Sequence, residues 1–319
     1  MSVVVQKVIL RNNQHFGRKL PLHHLGLLFA ELTLSLRATV SMAFRSRSHV
    51  KGRRPGWLER ASDVRFVDHD GDGDSILYFE APQLGDAAAD LYTQHSLFPE
   101  ADDRPSPEDT AFDVFGDVIL DLQVGNADSG HYDPSLLHRM TQFSRVFKKG
   151  PYGEVDFISR RFPQETPARF TPELAESAKT LLGRTPSPQR IRIVGQLDAL
   201  VASTQRFSVL LDSGEKITGS FADDQVETIK DLWRKRVLVL GTAIYRASGR
   251  LLRVDAEAVR PGENESSVFS RMPSPPRSRI DPSGLRKAQG TKSGINAIIG
   301  RWPGHETEEE ITAILEELS

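Results

Sequence analysis

The chain has no cysteine among its 319 residues. That excludes disulfides, thiolate metal sites and a cysteine nucleophile, and leaves the redox compartment open. It also lacks an unbroken apolar run long enough for a membrane span: the longest, Leu20 to Phe44, is interrupted by His23, His24, Glu31 and Arg37. Ionised groups at a bilayer centre cost about 2.5–3.5 kcal/mol each, so the stretch reads as a core helix and no membrane partner is expected. The first residues, Met1 to Lys7, lack the basic region, apolar core and cleavage site of a signal peptide. A cytoplasmic protein is the expectation. No Walker loop, Gly-rich dinucleotide turn, nucleophile elbow or zincin helix occurs. A non-enzymatic protein without a cofactor is expected.

The length allows two domains, each with a real core. Hydrophobic content of 38% and charged content of 26% fit a soluble protein with some disordered sequence. The net charge of −2 hides an asymmetry: residues 1–60 sum to +9 and residues 61–150 to −12. The two blocks either neutralise each other within one domain or present a basic surface for a polyanion beside an acidic one.

Residues 1–150 read as a helix-rich α+β domain. Val3–Leu10 has strand character, and Pro21 opens a helix to about Arg45 with Leu22, Leu25, Phe29, Leu32, Leu36 and Val40 on one face. Val64–Val67 and Ile76–Glu80 flank an Asp/Gly turn as a hairpin. Helices are expected near Gly85–His95, from Ser106-Pro107-Glu108-Asp109 to about Val124, and over Pro134–Lys148. Residues 151–189, with five prolines between Pro163 and Pro188, read as a connection holding one short helix, Pro172–Leu182.

Residues 190–260 alternate differently. Strand runs Ile191–Val201, Arg206–Asp212 and Glu215–Ala222 precede a helical run near Gln225–Arg236, and Val237–Arg246 and Leu251–Val259 follow. Asp212-Ser213-Gly214-Glu215 and Ala247-Ser248-Gly249-Arg250 are hairpin loops, while Gly195 and Gly241 lie inside strands, where a small barrel coils tightly. The order β-β-β-α-β-β resembles the OB-fold barrel. Phe207, Phe221, Trp233 and Tyr245 are expected mostly inside it. Residues 261–293 are rich in Ser, Pro, Gly and Arg and read as a flexible, disordered linker.

Several clusters invite a chemical reading. Asp68, Asp70, Asp72 and Asp74 resemble the first half of a calcium loop, but Ser75 and Phe79 stand where an apolar residue and a glutamate belong; a hairpin turn explains them better. Asp113, Asp117 and Asp121 share a helix face and call for cations, which the early basic block can supply. His131, Asp133 and His138 form the densest His/Asp group; a metal-dependent enzyme built on these Asp/His clusters is an alternative reading. Arg45, Arg47, Lys51, Arg53 and Arg54, followed by Trp57, combine phosphate-binding cations with an aromatic able to stack on a base. They are the candidate contacts to DNA or RNA.

The last 26 residues, Gly294-Ile295-Asn296-Ala297-Ile298-Ile299-Gly300-Arg301-Trp302-Pro303-Gly304-His305-Glu306-Thr307 and an acidic helix, end in a capping box of Thr307 with Glu310 and an apolar stripe of Ile311, Ile314, Leu315 and Leu318. This tail resembles the partner-binding tails of small bacterial antitoxin-type proteins. The resemblance implies that residues 294–319 dock on a protein partner through Ile298, Trp302, Ile311 and Leu315, with Glu308, Glu309 and Glu310 covering a basic surface. Together the chain reads as a modular binding protein that engages a protein or nucleic-acid partner, with an antitoxin-like capture of a toxin as the alternative.

Overall fold

Val8 and Leu10 alternate along a strand that becomes the centre of a sheet, because both its edges are taken up by pairing. This strand, β1 (Val3–Asn12), pairs antiparallel with β3 (Ser75–Pro82) on one side and β4 (Tyr152–Ile158) on the other. β2 (Arg65–Asp70) and β5 (Ala168–Phe170) complete the antiparallel order β2-β3-β1-β4-β5. The computed structural model describes residues 2–12, 19–49, 54–71, 73–92, 104–148, 151–222, 225–262 and 267–275, with Thr307 and Glu309. The chain divides into two units, Met1–Pro275 and Pro276–Ser319. The proposed tail anchors Ile298, Trp302, Ile311 and Leu315, and the linker from Pro276 to Ser293, lie outside the described residues.

Helices cover the sheet with the face that their apolar spacing dictates. α1 (Leu22–Arg45) is long and apolar enough to cross a bilayer by composition alone, yet Leu28, Leu32, Leu36, Val40 and Phe44 are buried in the domain core. Leu22, expected on that face, is 82% exposed. α2 (Gly56–Ala61), α3 (Leu84–Ala87) and α4 (Ala89–Tyr92) are short. α5 (Ala111–Gln123) starts later than the Ser106-Pro107 signal suggests. Asp109 closes a turn on Ser106 instead, and Asp113 accepts a hydrogen bond from the Thr110 backbone N–H at 2.8 Å. The Pro134–Lys148 pattern is broken at Phe143 into α6 (Pro134–Gln142) and α7 (Ser144–Phe147).

The stretch 151–189 belongs to this domain as structure and is no mere connection. β4 pairs with the central strand, and α8 (Pro172–Arg184) buries Leu174, Ala175, Ala178 and Leu181 in the same core. Its prolines flank these elements or occupy the first helical turn, where no N–H is lost from the ladder.

The second half closes on itself. β6 (Gln189–Val201), β7 (Arg206–Leu210), β8 (Lys216–Ser220), β9 (Arg236–Tyr245) and β10 (Leu251–Pro261) form a barrel in the order β10-β8-β7-β6-β9. Closure comes from β9, which pairs with both β6 and β10; the β8–β10 contact is parallel and the others antiparallel. Gly195 and Gly241 permit the tight coil: a Cβ would lie 2.5 Å from the Leu210 carbonyl oxygen in the first case, and closer still to that of Asp255 in the second. α9 (Val226–Lys230) is shorter than its sequence pattern. Consequently Trp233 falls in a turn and is 53% exposed, while Phe207, Phe221 and Tyr245 are buried as expected. Residues 267–275, within the expected linker, lie on the barrel: Ser270 Oγ accepts from the Asp212 N–H at 2.8 Å, and Met272 packs against the barrel core.

The barrel is fastened to the α+β domain. Ile244 and Leu252 join the core of that domain. Arg253 on β10 donates to Asp133 Oδ2 at 3.1 Å and to the Ser46 carbonyl at 2.7 Å. The hairpin tip between β9 and β10 adds Ser248 N–H to the Ala127 carbonyl at 2.8 Å and Arg250 to Asp128 at 2.5 Å.

Candidate functional site

Docking the two halves leaves a cleft of about 810 Å³ between them, within the usual range for a ligand site. One wall is the outer face of the barrel, with Arg206 of β7, Thr218 of β8 and Leu252 of β10. These positions face outward because Phe207, Val209 and Ile217 alternate with them into the barrel core. The opposite wall comes from the end of α1, the loop before α5, α5 itself and the loop after β4.

Charge sets the character of this cleft. Five arginines line it (Arg104, Arg160, Arg161, Arg206 and Arg246) against two aspartates, Asp109 and Asp117. Arg160 donates to Asp109 at 2.5 Å, and Arg161 forks onto Asp117 while reaching Asp109 at 3.4 Å. Glu108 adds a contact to Arg160 at 3.3 Å, and these carboxylates fix both guanidiniums in the lining of the cavity. Arg246 donates to the Asp128 carbonyl at 2.5 Å, whereas its Nε is buried without a hydrogen-bond partner. The same guanidinium lies 3.5 Å from the Asp128 carboxylate, so Arg246 lines the cleft as one half of an ion pair.

His131 also lines the cleft. Its Nδ1 lies 2.7 Å from Asp121 Oδ2, which orients the ring and favours the tautomer with hydrogen on Nδ1. Asp121 in turn accepts from Ser129 Oγ at 2.5 Å and Asn126 Nδ2 at 3.1 Å. Burial alone would raise this carboxyl, but the bonds from Ser129, Asn126 and His131 outweigh it and hold the group below its ordinary range.

The sequence-derived candidates are dispersed. Arg45 is buried, Arg47 lies 3.8 Å from Asp255 in a second cavity of about 440 Å³, and Arg54 reaches a third, smaller one. Lys51 and Arg53 lie outside the described residues. Trp57 is only 8% exposed and packs edge-on against Phe44 with ring centroids 5.4 Å apart, so it offers no stacking face. In the Asp113, Asp117 and Asp121 stripe, Asp117 is met by the Arg161 guanidinium and Asp121 by His131, and neither partner comes from the early basic block. Asp113 is a buried structural acceptor for Ser159 Oγ and the Arg161 N–H.

Asp133 is likewise structural: it caps α6 through the Leu136 N–H and binds Ser48 and Arg253, while His138 is exposed apart from it. In the 68–74 turn, Asp70 accepts from the Gly71 N–H and Asp74 pairs with Arg11, with Asp72 outside the described residues. Among the described residues no three His, Asp or Glu side chains converge in a metal-holding group. The arginines of the cleft were missed because they are scattered from Arg104 to Arg246; the adjacent Arg160-Arg161 pair was the one local signal. Set against known proteins, the chain matches no protein family, no curated sequence and no solved structure.

Proposed function

We propose that this chain is a binding protein for single-stranded nucleic acid, built on an OB-type barrel whose β7–β8 face forms one wall of an arginine-lined cleft. The observation that carries the reading is that cleft: Arg206 and Thr218 of those strands face Arg104, Arg160 and Arg161 across it, with Arg246 beside them and two aspartates, Asp109 and Asp117, in the lining. The strand order β10-β8-β7-β6-β9, with a parallel β8–β10 closure and a helix between β8 and β9, supports the OB-type assignment. In such barrels the second and third strands and the loops beside them engage oligonucleotides. A single strand suits the geometry because duplex readers insert a protruding helix or ribbon into a groove, whereas this surface is concave. Trp233, exposed on the barrel with the Arg234 guanidinium 4.7 Å from its ring, adds a stacking platform.

Fluorescence anisotropy of labelled single-stranded DNA and RNA across a salt series tests this. Arg160→Gln and Arg206→Gln should each weaken binding and reduce the log–log salt slope by about 0.7 for each phosphate no longer engaged. Trp233→Ala should weaken it with the slope unchanged. No binding at low salt would remove the proposal and leave a protein partner as the reading.

The His131–Asp121 pair favours a second reading, in which a bound strand meets an oriented general base on the cleft wall. Cleavage of the bound oligonucleotide by the unaltered protein and not by His131→Ala would establish it.

A further inference from the structure

The third and smallest of the cavities described above is basic in a different way from the cleft. It has a volume of about 140 Å³ and lies where α1, the start of α2 and α6 meet. Arg37, Arg54 and Arg139 line it together with His49, and no carboxylate does. Of the three serines at its wall, Ser41, Ser48 and Ser135, two are engaged: Ser41 Oγ donates to the Arg47 carbonyl at 2.7 Å, and Ser48 Oγ to Asp133 at 2.5 Å. The permanently charged donors at the wall are guanidinium N–H groups, with Ser135 and His49 beside them.

The acids nearby do not neutralise them. Among the described residues neither Arg37 nor Arg54 has a carboxylate within salt-bridge distance. Arg37 makes only a long contact to Ser62 Oγ at 3.5 Å, and Arg139 meets Glu31 at 3.9 Å, a carboxylate that Arg145 shares at 3.8 Å. Glu59 acts on Arg37 only at longer range. Burial, and then the like charge of Arg54, lower the Arg37 pKa against the weaker opposing pull of Glu59.

We infer that this cavity is a binding site for a tetrahedral phosphate dianion, held by the guanidiniums of Arg37, Arg54 and Arg139. Planar guanidinium forks match phosphate oxygens bidentately and supply short, charge-assisted bonds. The size selects the ligand: the volume is well below the roughly 300 Å³ at which pockets begin to hold drug-sized molecules. A phosphate group enters, whereas a base or a sugar stays outside. The site serves either orthophosphate or the terminal group of a phosphate monoester.

Thermal melts of the full chain, titrated with sodium phosphate, glycerol 1-phosphate or sodium chloride at matched ionic strength, test the inference. Phosphate should raise the melting temperature saturably and chloride should not. Arg54→Gln, at an exposed position, should leave the phosphate-free melt unchanged and weaken the apparent Kd at least tenfold. Arg54→Lys, which keeps the charge and loses the fork, should fall between the two. Arg160→Gln should leave phosphate affinity intact, which separates this site from the cleft. Equal binding of glycerol 1-phosphate identifies a monoester site, and its exclusion identifies orthophosphate. A rise matched by chloride, or a Kd unchanged in Arg54→Gln, would overturn the assignment.

Discussion

Replacing Asp133 by alanine should be among the most damaging single changes in the chain, although the residue lies outside the arginine-lined cleft. Its side chain is 1% exposed and faces Arg253 at 6%. Four donors converge on it: Ser48 N–H at 3.1 Å, Ser48 Oγ at 2.5 Å, the Leu136 N–H at 3.0 Å and Arg253 at 3.1 Å. Removing one partner of a buried ion pair costs about 3–5 kcal/mol because the other charge is left desolvated. Loss of the α6 cap, typically about 1 kcal/mol, overlaps with this figure and is not added to it. The lower bound corresponds to a fall in melting temperature of roughly 6–12 °C for a unit of this size. Urea unfolding followed by tryptophan fluorescence measures it. Arg253→Met should cost less, since Asp133 keeps its three other donors. The double mutant should show a coupling of about 0.5–3 kcal/mol. A loss below about 1 kcal/mol in Asp133→Ala would refute the reasoning, because it would mean that desolvation cancels the pair and that apolar packing alone fastens the barrel.

The fold was legible where one local pattern sufficed. β1, α1 and the five barrel strands follow from alternation and helical spacing, since each buries the face its own residues define. Legibility stopped where long-range partners decide. Ser106 looks like a helix cap, but Asp113 carries the start of α5 because Ser159 and the Arg161 N–H, almost fifty positions away, complete its coordination. Trp233 carries an apolar side chain at helical spacing, yet α9 ends at Lys230 and the ring turns outward, its Nε1 donating to the Asp198 carbonyl at 3.4 Å. The site was less legible than the fold for the same reason. A basic run in sequence is scattered when α1 carries Arg45 into the core and Arg47 to Asp255, while arginines from separate segments of the chain are gathered into one cleft.

Two further predictions concern the barrel and its junction. Gly241→Ala should destabilise by about 1–3 kcal/mol or more, because the added methyl meets the β10 backbone and cannot be relieved by a side-chain shift; an unchanged urea midpoint would show that β9 and β10 have room to part. The last concerns Asp255, between Arg253 at 2.8 Å and Arg47 at 3.8 Å, with the Ser220 hydroxyl also donating at 2.8 Å. Burial alone would raise its carboxyl, but the Arg253 and Arg47 charges and the Ser220 bond outweigh burial and hold it below the ordinary carboxylate range. A depressed folded-state pKa means that the unfolded chain binds the proton more readily. The stabilisation is therefore fully present above the unfolded value of about 3.9 and is lost as the pH falls through the folded one. Asp255→Asn should be less stable than the unaltered protein at pH 7, since Arg47 and Arg253 lose their shared carboxylate. Its stability should also decline less steeply between about pH 4 and pH 2. Urea midpoints measured at intervals through that window separate the two effects. Parallel acid limbs for the two proteins would show that Asp255 does not titrate with folding, and that the acid sensitivity of the junction belongs to other carboxylates.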